Sequence, residues 1–188
     1  MRSSSGKRSN ARERIIDAAL AVVKEDGAAR LSLDAVAERA GVSKGGLLYH
    51  FASKSALLKA MVARHVTAFR ETIATAHAEV TQDGRPNALA RAYLQAMRAR
   101  ICEKERSPSG FLAAIAEAPE LLDPVREHHR QLVADLRSGS ETPQLAFAAF
   151  LAIEGFWSLQ LFETNPFSAS EVVACFDVLE EMLGQAER

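Results

Sequence analysis

The sequence predicts an all-α protein in which a three-helix N-terminal head with a helix–turn–helix precedes a larger helical body, about nine helices in all. Three observations lead to this class. Ala, Leu, Glu and Arg, which favour helices, fill the segments between the joints. No window shows the strict two-residue alternation of a half-buried strand. Glycines, serines and prolines mark the joints, and no proline occurs before Pro86.

The first helix is expected from about Asn10, which can cap it, to Gly27, which can end it. Its buried face is predicted from apolar residues at i, i+4 and i+7, namely Ile16, Leu20 and Val23. Residues 1–9 are rich in Ser, Lys and Arg, and we expect them to be mobile.

Three further helices each follow a serine that can cap them. The expected ranges are 33–40 after Ser32, 44–51 after Ser43, and 54 to about 80 after Ser53. The apolar face of the first of these consists of Leu33, Val36, Ala37 and Ala40. The long helix carries Leu58, Met61, His65, Phe69 and Ile73 on one face.

Five helices are expected to form the body after an Asp-Gly-Arg-Pro break at 83–86. Their ranges are about 87–104, 108–117, 121–137, 142–163 and 169–185.

Composition excludes several classes of protein. Hydrophobic residues make up 48% and charged residues 25% of the 188-residue chain, as in ordinary globular proteins. The longest uncharged apolar stretch, 142–153, is shorter than the ~20 residues of a membrane span, and no apolar run follows the N-terminus as in a secretory signal. Two cysteines suit a reducing compartment better than a disulfide framework. We therefore expect a cytoplasmic protein that does not bind membranes.

Charge is unevenly distributed along the chain, although the net charge is only −1. Residues 1–66 hold 12 Lys and Arg against 6 Asp and Glu, whereas the remaining residues hold 11 against 18. A basic first third joined to an acidic remainder favours a module that binds a polyanion. Ordinary solvated charge is the alternative.

Enzyme and cofactor motifs are absent from the sequence, which contains no GxGxxG, GxxxxGK[ST], HExxH, CxxC or GxSxG. His128 and His129 are neighbours on an expected helix and point in different directions, so they cannot hold one metal together. We expect no catalytic residue, no metal site and no cofactor. A site assembled from distant residues is the alternative.

Residues 32–51 predict a helix–turn–helix. Gly41 can adopt the left-handed conformation that ends the first helix, Val42 fills the core, and Ser43 caps the second helix. On that second helix Leu47 and Phe51 face inward, so the outer face carries Lys44, Gly45, Leu48 and Tyr49. Two glycines at 45–46 cost a helix about 1 kcal/mol each relative to alanine. They either permit close approach to a major-groove wall or only end a loop.

These residues resemble the DNA-binding domain of the tetracycline-repressor family of bacterial transcription regulators. The matching segments over 12–58 are RIIDAA at 14–19, Gly27, LSLDAVA at 31–37, AGVSKG at 40–45 and YHFASKSALL at 49–58. The family's usual aromatic position is Leu48 here, followed by Tyr49 and His50. Residues 86–185 are similar to one C-terminal subgroup. The resemblance implies a DNA-binding domain at 10–53 and a ligand-binding and dimerisation domain at 54–188.

Carried over by position, the resemblance implies a set of DNA contacts at Ser32, Ser43, Lys44, Gly45, Leu48, Tyr49, His50 and Lys54. Lys44, Gly45 and Leu48 would face base edges, where Lys44 suits O6 and N7 of guanine. Ser32, Tyr49 and Lys54 would meet phosphates. His50 either contacts a phosphate or packs inward.

Large apolar residues of the acidic body are either plain core or the lining of a pocket for a largely apolar small molecule. The candidates are Met61, His65, Phe69, Tyr93, Met97, Phe111, Trp157 and Phe162. The helices at about 142–163 and 169–185 are apolar beyond one face, which predicts a homodimer through them.

The leading hypothesis is a dimeric, sequence-specific DNA-binding transcriptional regulator, a repressor that a small molecule releases from its operator. One alternative is a helical small-molecule-binding protein or enzyme that does not bind DNA. The other is a DNA-binding regulator controlled by a protein partner. The basic first third and the complete turn motif favour the leading hypothesis over the first alternative.

Overall fold

The computed structural model describes residues 4–26, 31–102 and 118–185, and within them it contains helices and no strand. The α-helices in these ranges are α1 Ser4–Asp26, α2 Leu33–Ala40, α3 Lys44–His50, α4 Lys54–Val80, α5 Ala88–Cys102, α6 Asp123–Gly139, α7 Pro143–Leu161 and α8 Ala169–Gln185. Short 3-10 helices occupy Thr81–Asp83 and Pro119–Leu122. The all-α class is confirmed. The helix expected at 108–117, with Phe111, and the expected helix end at Gly27 lie outside the described residues.

The serine caps form as the sequence predicts. The side-chain oxygens of Ser32, Ser43 and Ser53 each accept the backbone N–H three residues ahead, at 3.0–3.1 Å. Each bond satisfies an N–H that the first helical turn would otherwise leave without a partner. These three contacts fix where α2, α3 and α4 begin.

The first helix differs from its prediction at its start and in the exposure of Leu20. Because α1 begins at Ser4, Asn10 lies inside the helix and residues 4–9 are helical. Lys and Arg have good helix propensity and no proline interrupts this stretch, so the helix continues past the expected cap. Its buried residues include Ile15, Ala19 and Val22, whereas Leu20 is 38% exposed. Ile16 is buried and Val23 packs half-buried against the core as predicted, so the prediction is wrong at Leu20 alone.

The described residues form two compact units. The first contains the described residues up to His65 together with 118–126, and the second contains 66–102 and 127–185. The residues of α4 and of α6 are divided between the two units.

The core of the first unit is built from α1, α2, α3 and the beginning of α4, with Leu121 from the 3-10 helix buried in it. Lys59 Nζ lies 2.6 Å from a carboxylate oxygen of Asp123, and Ser55 Oγ donates to Glu120 at 3.3 Å. Burial of a leucine side chain contributes about 1.5–3 kcal/mol, whereas exposed ion pairs contribute about 0–1 kcal/mol. Leu121 is therefore the main anchor of residues 118–126.

The second unit has its own core and a buried polar centre at Asn87. This residue has a φ of 55° and is fully buried. Its Nδ2 donates to Thr142 Oγ1 at 2.8 Å and to the Leu183 carbonyl at 2.9 Å, and its backbone N–H donates to Glu141 at 2.7 Å. Asparagine tolerates the left-handed region better than most residues. The starts of α5 and α7 and the end of α8 are thus joined by one side chain.

In the part of the chain that the structure describes, α7 is the one helix long and apolar enough to cross a membrane, with a mean hydropathy of 1.3. Its buried stripe, which includes Ala146, Ala149 and Ile153, packs in the core of the second unit. A helix that packs in a protein core passes the same test of length and composition.

Candidate nucleic-acid interface and small-molecule site

The turn between α2 and α3 has the geometry that its sequence predicts. Gly41 has a φ of 64° and a ψ of 40°, in the left-handed region that favours glycine. The next residue, Val42, donates its N–H to the Ala37 carbonyl at 3.0 Å. Leu47 and Phe51 are 0% and 3% exposed in the core of the first unit. Packing of the inner face therefore holds α3 in the core, and its outer face is exposed to solvent.

That outer face carries the residues predicted for it. Lys44 and Gly45 are exposed, Leu48 is 39% exposed and Tyr49 is 73% exposed. The Tyr49 and His50 rings meet edge to face at 5.2 Å, and His50 is half-buried. Large apolar side chains left in water beside a cation are typical of a surface that a partner covers.

The two glycines of α3 differ in what surrounds them. A Cβ at Gly46 would lie 3.2 Å from Ser43 Oγ, the atom that caps the helix. A Cβ at Gly45 would have no atom within 4 Å. The fold therefore has a use for glycine at 46 and none at 45. The lack of a side chain at Gly45 would let a binding partner approach the backbone of α3 closely.

Ion pairs hold some cations of the first unit, including the one expected to read bases. Lys44 Nζ lies 2.9 Å from Asp34 Oδ1, and both side chains are more than half exposed. Arg39 is similarly paired with Glu25 at 2.5 Å. Exposed pairs of this kind contribute about 0–1 kcal/mol, so exchange of Asp34 for another acceptor costs little. Lys54, at the start of α4, is exposed and has no ion-pair partner among the described residues.

The structure brings together some of the residues predicted to line a pocket and separates others. Phe69, Tyr93 and Met97 belong to the core of the second unit, and Trp157 packs against it half-buried. Met61 lies in the core of the first unit. His65 is exposed although it was expected on the apolar face of α4, and Phe162 is 61% exposed.

A polar cluster that sequence reasoning missed lies among these aromatic rings. Tyr93 donates its O–H to Glu154, and His129 Nε2 lies 3.4 Å from the other oxygen of that carboxylate. The Phe150 ring stacks on Tyr93 at 5.9 Å. Burial, and then the negative charge of Glu154, raise the pKa of the Tyr93 phenol far above its usual range. Both effects favour the protonated phenol, which is the form that donates to Glu154.

Arg100 is a second residue that the sequence did not single out. Its guanidinium carbon lies 5.0 Å from the centroid of the Phe69 ring and 4.9 Å from that of the Trp157 ring.

The sequence did contain one signal for Glu154, which is the only charged residue within Pro143–Leu161. A lone carboxylate in so apolar a helix needs a partner when the helix packs in a core. No local pattern identified Arg100, because its contacts come from two other helices.

His128 is almost fully buried in the same unit. Burial, with the neighbouring charges of His129 and Arg70, lowers the pKa of His128 to about 4. Its Nε2 has no hydrogen-bond partner among the described residues. A shallow cavity of about 200 Å³ lies beside it, lined by Arg70, Ile73, Ala74, His77, Leu89, Gln131, Leu132 and Asp135 in addition to His128. This lining contains none of the pocket residues predicted from the sequence.

Helices α7 and α8 expose a run of apolar and small side chains. On α7 these include Ala148, Ala152 and Gly155, with Leu151 67% exposed. On α8, Val178 is 56% and Met182 49% exposed. The other side of each helix, with Ala149, Phe156, Val172 and Phe176, is buried within the chain's own core. We call the exposed side the α7/α8 face.

Comparison with family models assigns both parts of the chain. Residues 15–61 match the model described as "Bacterial regulatory proteins, tetR family". Residues 87–184, more than half of the chain, match "Tetracyclin repressor-like, C-terminal domain".

Curated relatives match over about a quarter of the chain. The transcriptional regulator SrpR of Pseudomonas putida, named as HTH-type, is 44% identical over 52 residues, which are 28% of this chain and 24% of SrpR. TtgW, an uncharacterised regulator of P. putida that is also named HTH-type, is equally similar over 52 residues, 39% of its length. The match therefore spans less than half of either relative.

Solved structures match nearly the whole chain. The multidrug binding protein EbrR in complex with malachite green is 27% identical, with a TM-score of 0.65 over 92% of this chain and 97% of EbrR. Its complex with imidazole is 25% identical, with a TM-score of 0.66 over 94% and 96% of the two chains.

Proposed function

The chain belongs to the tetracycline-repressor family of bacterial transcriptional regulators, and from this premise we propose that it is a cytoplasmic homodimer that binds an operator and leaves it when a small molecule binds. In this proposal residues 10–53 contact DNA, and residues 54–188 bind the effector and the second protomer. The family is one of regulators, not of enzymes.

The outer face of α3 is the observation that carries the DNA-binding part. It combines an exposed cation, an open glycine position, an apolar contact and an aromatic hydroxyl on a helix whose inner side packs in the core. A helix presented in this way fits the major groove, where Lys44 can exchange Asp34 for guanine acceptors. Ser32, Tyr49 and Lys54 would contact phosphates at its edges.

The α7/α8 face supports the dimer. A soluble monomer does not normally expose a contiguous stripe of this kind, and small residues such as Ala148, Ala152 and Gly155 let two helices approach closely. A second copy of the same face would bury it in a two-fold four-helix arrangement. The symmetry of such a dimer matches a near-palindromic operator with half-sites about one helical turn apart, or a multiple of it.

The aromatic cluster of the second unit supports a small aromatic effector. Phe69, Tyr93 and Trp157 supply rings, and Glu154 supplies a polar group among them. Likeness to a multidrug binding protein that holds malachite green favours the same class of molecule for this chain.

Selection of bound fragments from genomic DNA by the purified protein tests the proposal. We expect near-palindromic sites and an affinity that falls steeply with salt, by about 0.9 logarithmic units per phosphate contact for each tenfold increase in salt. Lys54→Ala should weaken all sequences alike and reduce that slope by about one contact, whereas Lys24→Ala, an exposed lysine outside the helix–turn–helix, should not. No binding to any duplex, or binding insensitive to salt, would contradict DNA recognition.

A further inference from the structure

We propose that the space between the Phe69 and Trp157 rings is a binding slot for a planar aromatic cation. In the protein without ligand, the guanidinium of Arg100 occupies this slot in place of that cation. The inference rests on the proposed function, because it states the chemistry of the effector and names the side chain that it displaces.

The geometry of Arg100 shows what the slot accepts. Its guanidinium carbon is about equally distant from the centroids of two rings, 5.0 Å from Phe69 on α4 and 4.9 Å from Trp157 on α7. Aromatic faces attract cations at such distances, and a guanidinium is flat as well as charged. Two rings that hold one planar cation of the protein can hold another of similar shape.

The nearby charges favour a positive occupant. Glu154 precedes Trp157 by three residues on α7, so both side chains lie on one side of that helix. Its carboxylate accepts the Tyr93 O–H and has His129 Nε2 at 3.4 Å. The charge of Arg100 also reaches Tyr93, since it opposes the rise in the pKa of that phenol. A cation that replaces the Arg100 guanidinium leaves the net charge of the cluster unchanged, whereas an anion would be repelled by the Glu154 carboxylate.

Arg100 is placed where it can leave the slot. It lies two residues before the end of α5 and is half-buried, so it is not sealed within the core. Arg98, two residues earlier, pairs with Asp177 at 2.5 Å on the exposed surface. Arg98 therefore provides a matched arginine on the same helix whose contacts lie away from the rings.

Three ligands with the same ring system and different charges test whether the slot prefers a cation. The probes are 10-methylacridinium, which is always a cation, acridine at pH 8, which is neutral, and acridine-9-carboxylate, which is an anion. Each is titrated into the full chain, with binding followed by calorimetry and by quenching of Trp157, the only tryptophan in the sequence. We expect the cation to bind most tightly and the carboxylate least.

Variants at the slot test the role of Arg100. Arg100→Met removes the internal competitor and should tighten 10-methylacridinium binding by roughly 2- to 30-fold, the range that corresponds to one cation–aromatic contact. Arg100→Lys keeps the charge without the plane and should give a smaller gain, and it serves as the test if the methionine variant does not fold. Glu154→Gln should weaken the cation and leave acridine nearly unchanged. Arg98→Met should change neither.

Three results would overturn the inference. One is tighter binding of the carboxylate than of the cation, lost in Arg100→Met, which would make Arg100 a receptor for anions. Another is equal behaviour of the Arg100→Met and Arg98→Met proteins. The third is an absence of binding by all three probes. Because these titrations contain no DNA, failure of DNA binding would count against the proposed function alone.

Discussion

Gly45 and Gly46 stand side by side in α3, but only at Gly46 would an added Cβ lie unusually close to another atom. Gly45→Ala meets open space and should raise the free energy of unfolding by about 0.5–1 kcal/mol, because alanine loses less conformational freedom in a helix. The same methyl group should weaken operator binding, because it would stand between α3 and the groove wall. Urea unfolding and operator titration of the Gly45→Ala protein measure the two effects.

Gly46→Ala is the matched control for that experiment. Its Cβ would press on Ser43 Oγ at 3.2 Å, so it should gain less stability than Gly45→Ala, or lose some. If Gly45→Ala kept full operator affinity, the open position would have no part in DNA contact.

His128 should make stability depend on pH on the acidic side. Its pKa is about 4 in the folded chain and near 6.5 when unfolded, so the unfolded chain binds the proton first as pH falls. Stability should therefore be constant with respect to this group above pH 6.5 and fall between pH 6.5 and 4, by at most about 1.4 kcal/mol per pH unit. Urea unfolding of the wild type and His128→Gln across this range gives the difference. An identical slope in both proteins would assign the effect to other groups.

At the scale of elements, the α7/α8 face gives a prediction about assembly. Leu151→Glu or Val178→Glu places a charge on an exposed apolar position, where it should not disturb the chain's own core. In a four-helix interface the same charge would be buried without a partner, and the dimer should dissociate. Sedimentation measures the mass of each variant. Leu20→Glu, at an exposed leucine on α1, is the control and should remain dimeric.

The sequence predicted the elements better where the signal is local. Ser32, Gly41 and Ser43 each act within four residues, and the structure confirms all three. The buried face of α1 was predicted correctly at Ile16 but wrongly at Leu20, because Ile15 and Ile16 each begin a stripe of the same spacing. The cluster of Tyr93, Glu154 and His129 joins α5, α6 and α7 across up to 61 residues of chain. Such long-range contacts depend on packing, which spacing along one helix does not report.

For the whole molecule, the proposed function requires that effector and operator oppose each other equally. If the effector lowers operator affinity by some factor, operator must lower effector affinity by the same factor, with a typical coupling of about 1–3 kcal/mol. Phe69→Ala should reduce the response to effector more than it reduces operator affinity without effector, because Phe69 lies in the core of the second unit. Operator titrations with and without effector, and effector titrations with and without operator, measure the two changes in affinity. If the two factors were unequal, effector and operator would not act on the same conformational equilibrium.

The exposed apolar side of α7 has a consequence for the life of a newly made chain. A chain that has not paired exposes α7 to water: its most apolar 18-residue window has a mean hydropathy of 1.3, and only 22% of that window is buried. Such a surface is a target for chaperones and proteases, and its protection depends on how many copies are present. If the proposed dimer is the active form, the supply of active regulator at low expression should rise more steeply than its rate of synthesis, because more of the chains would be removed before they pair. If α7 joins two protomers as proposed, the same helix would thus set a threshold for how much protein a cell must make.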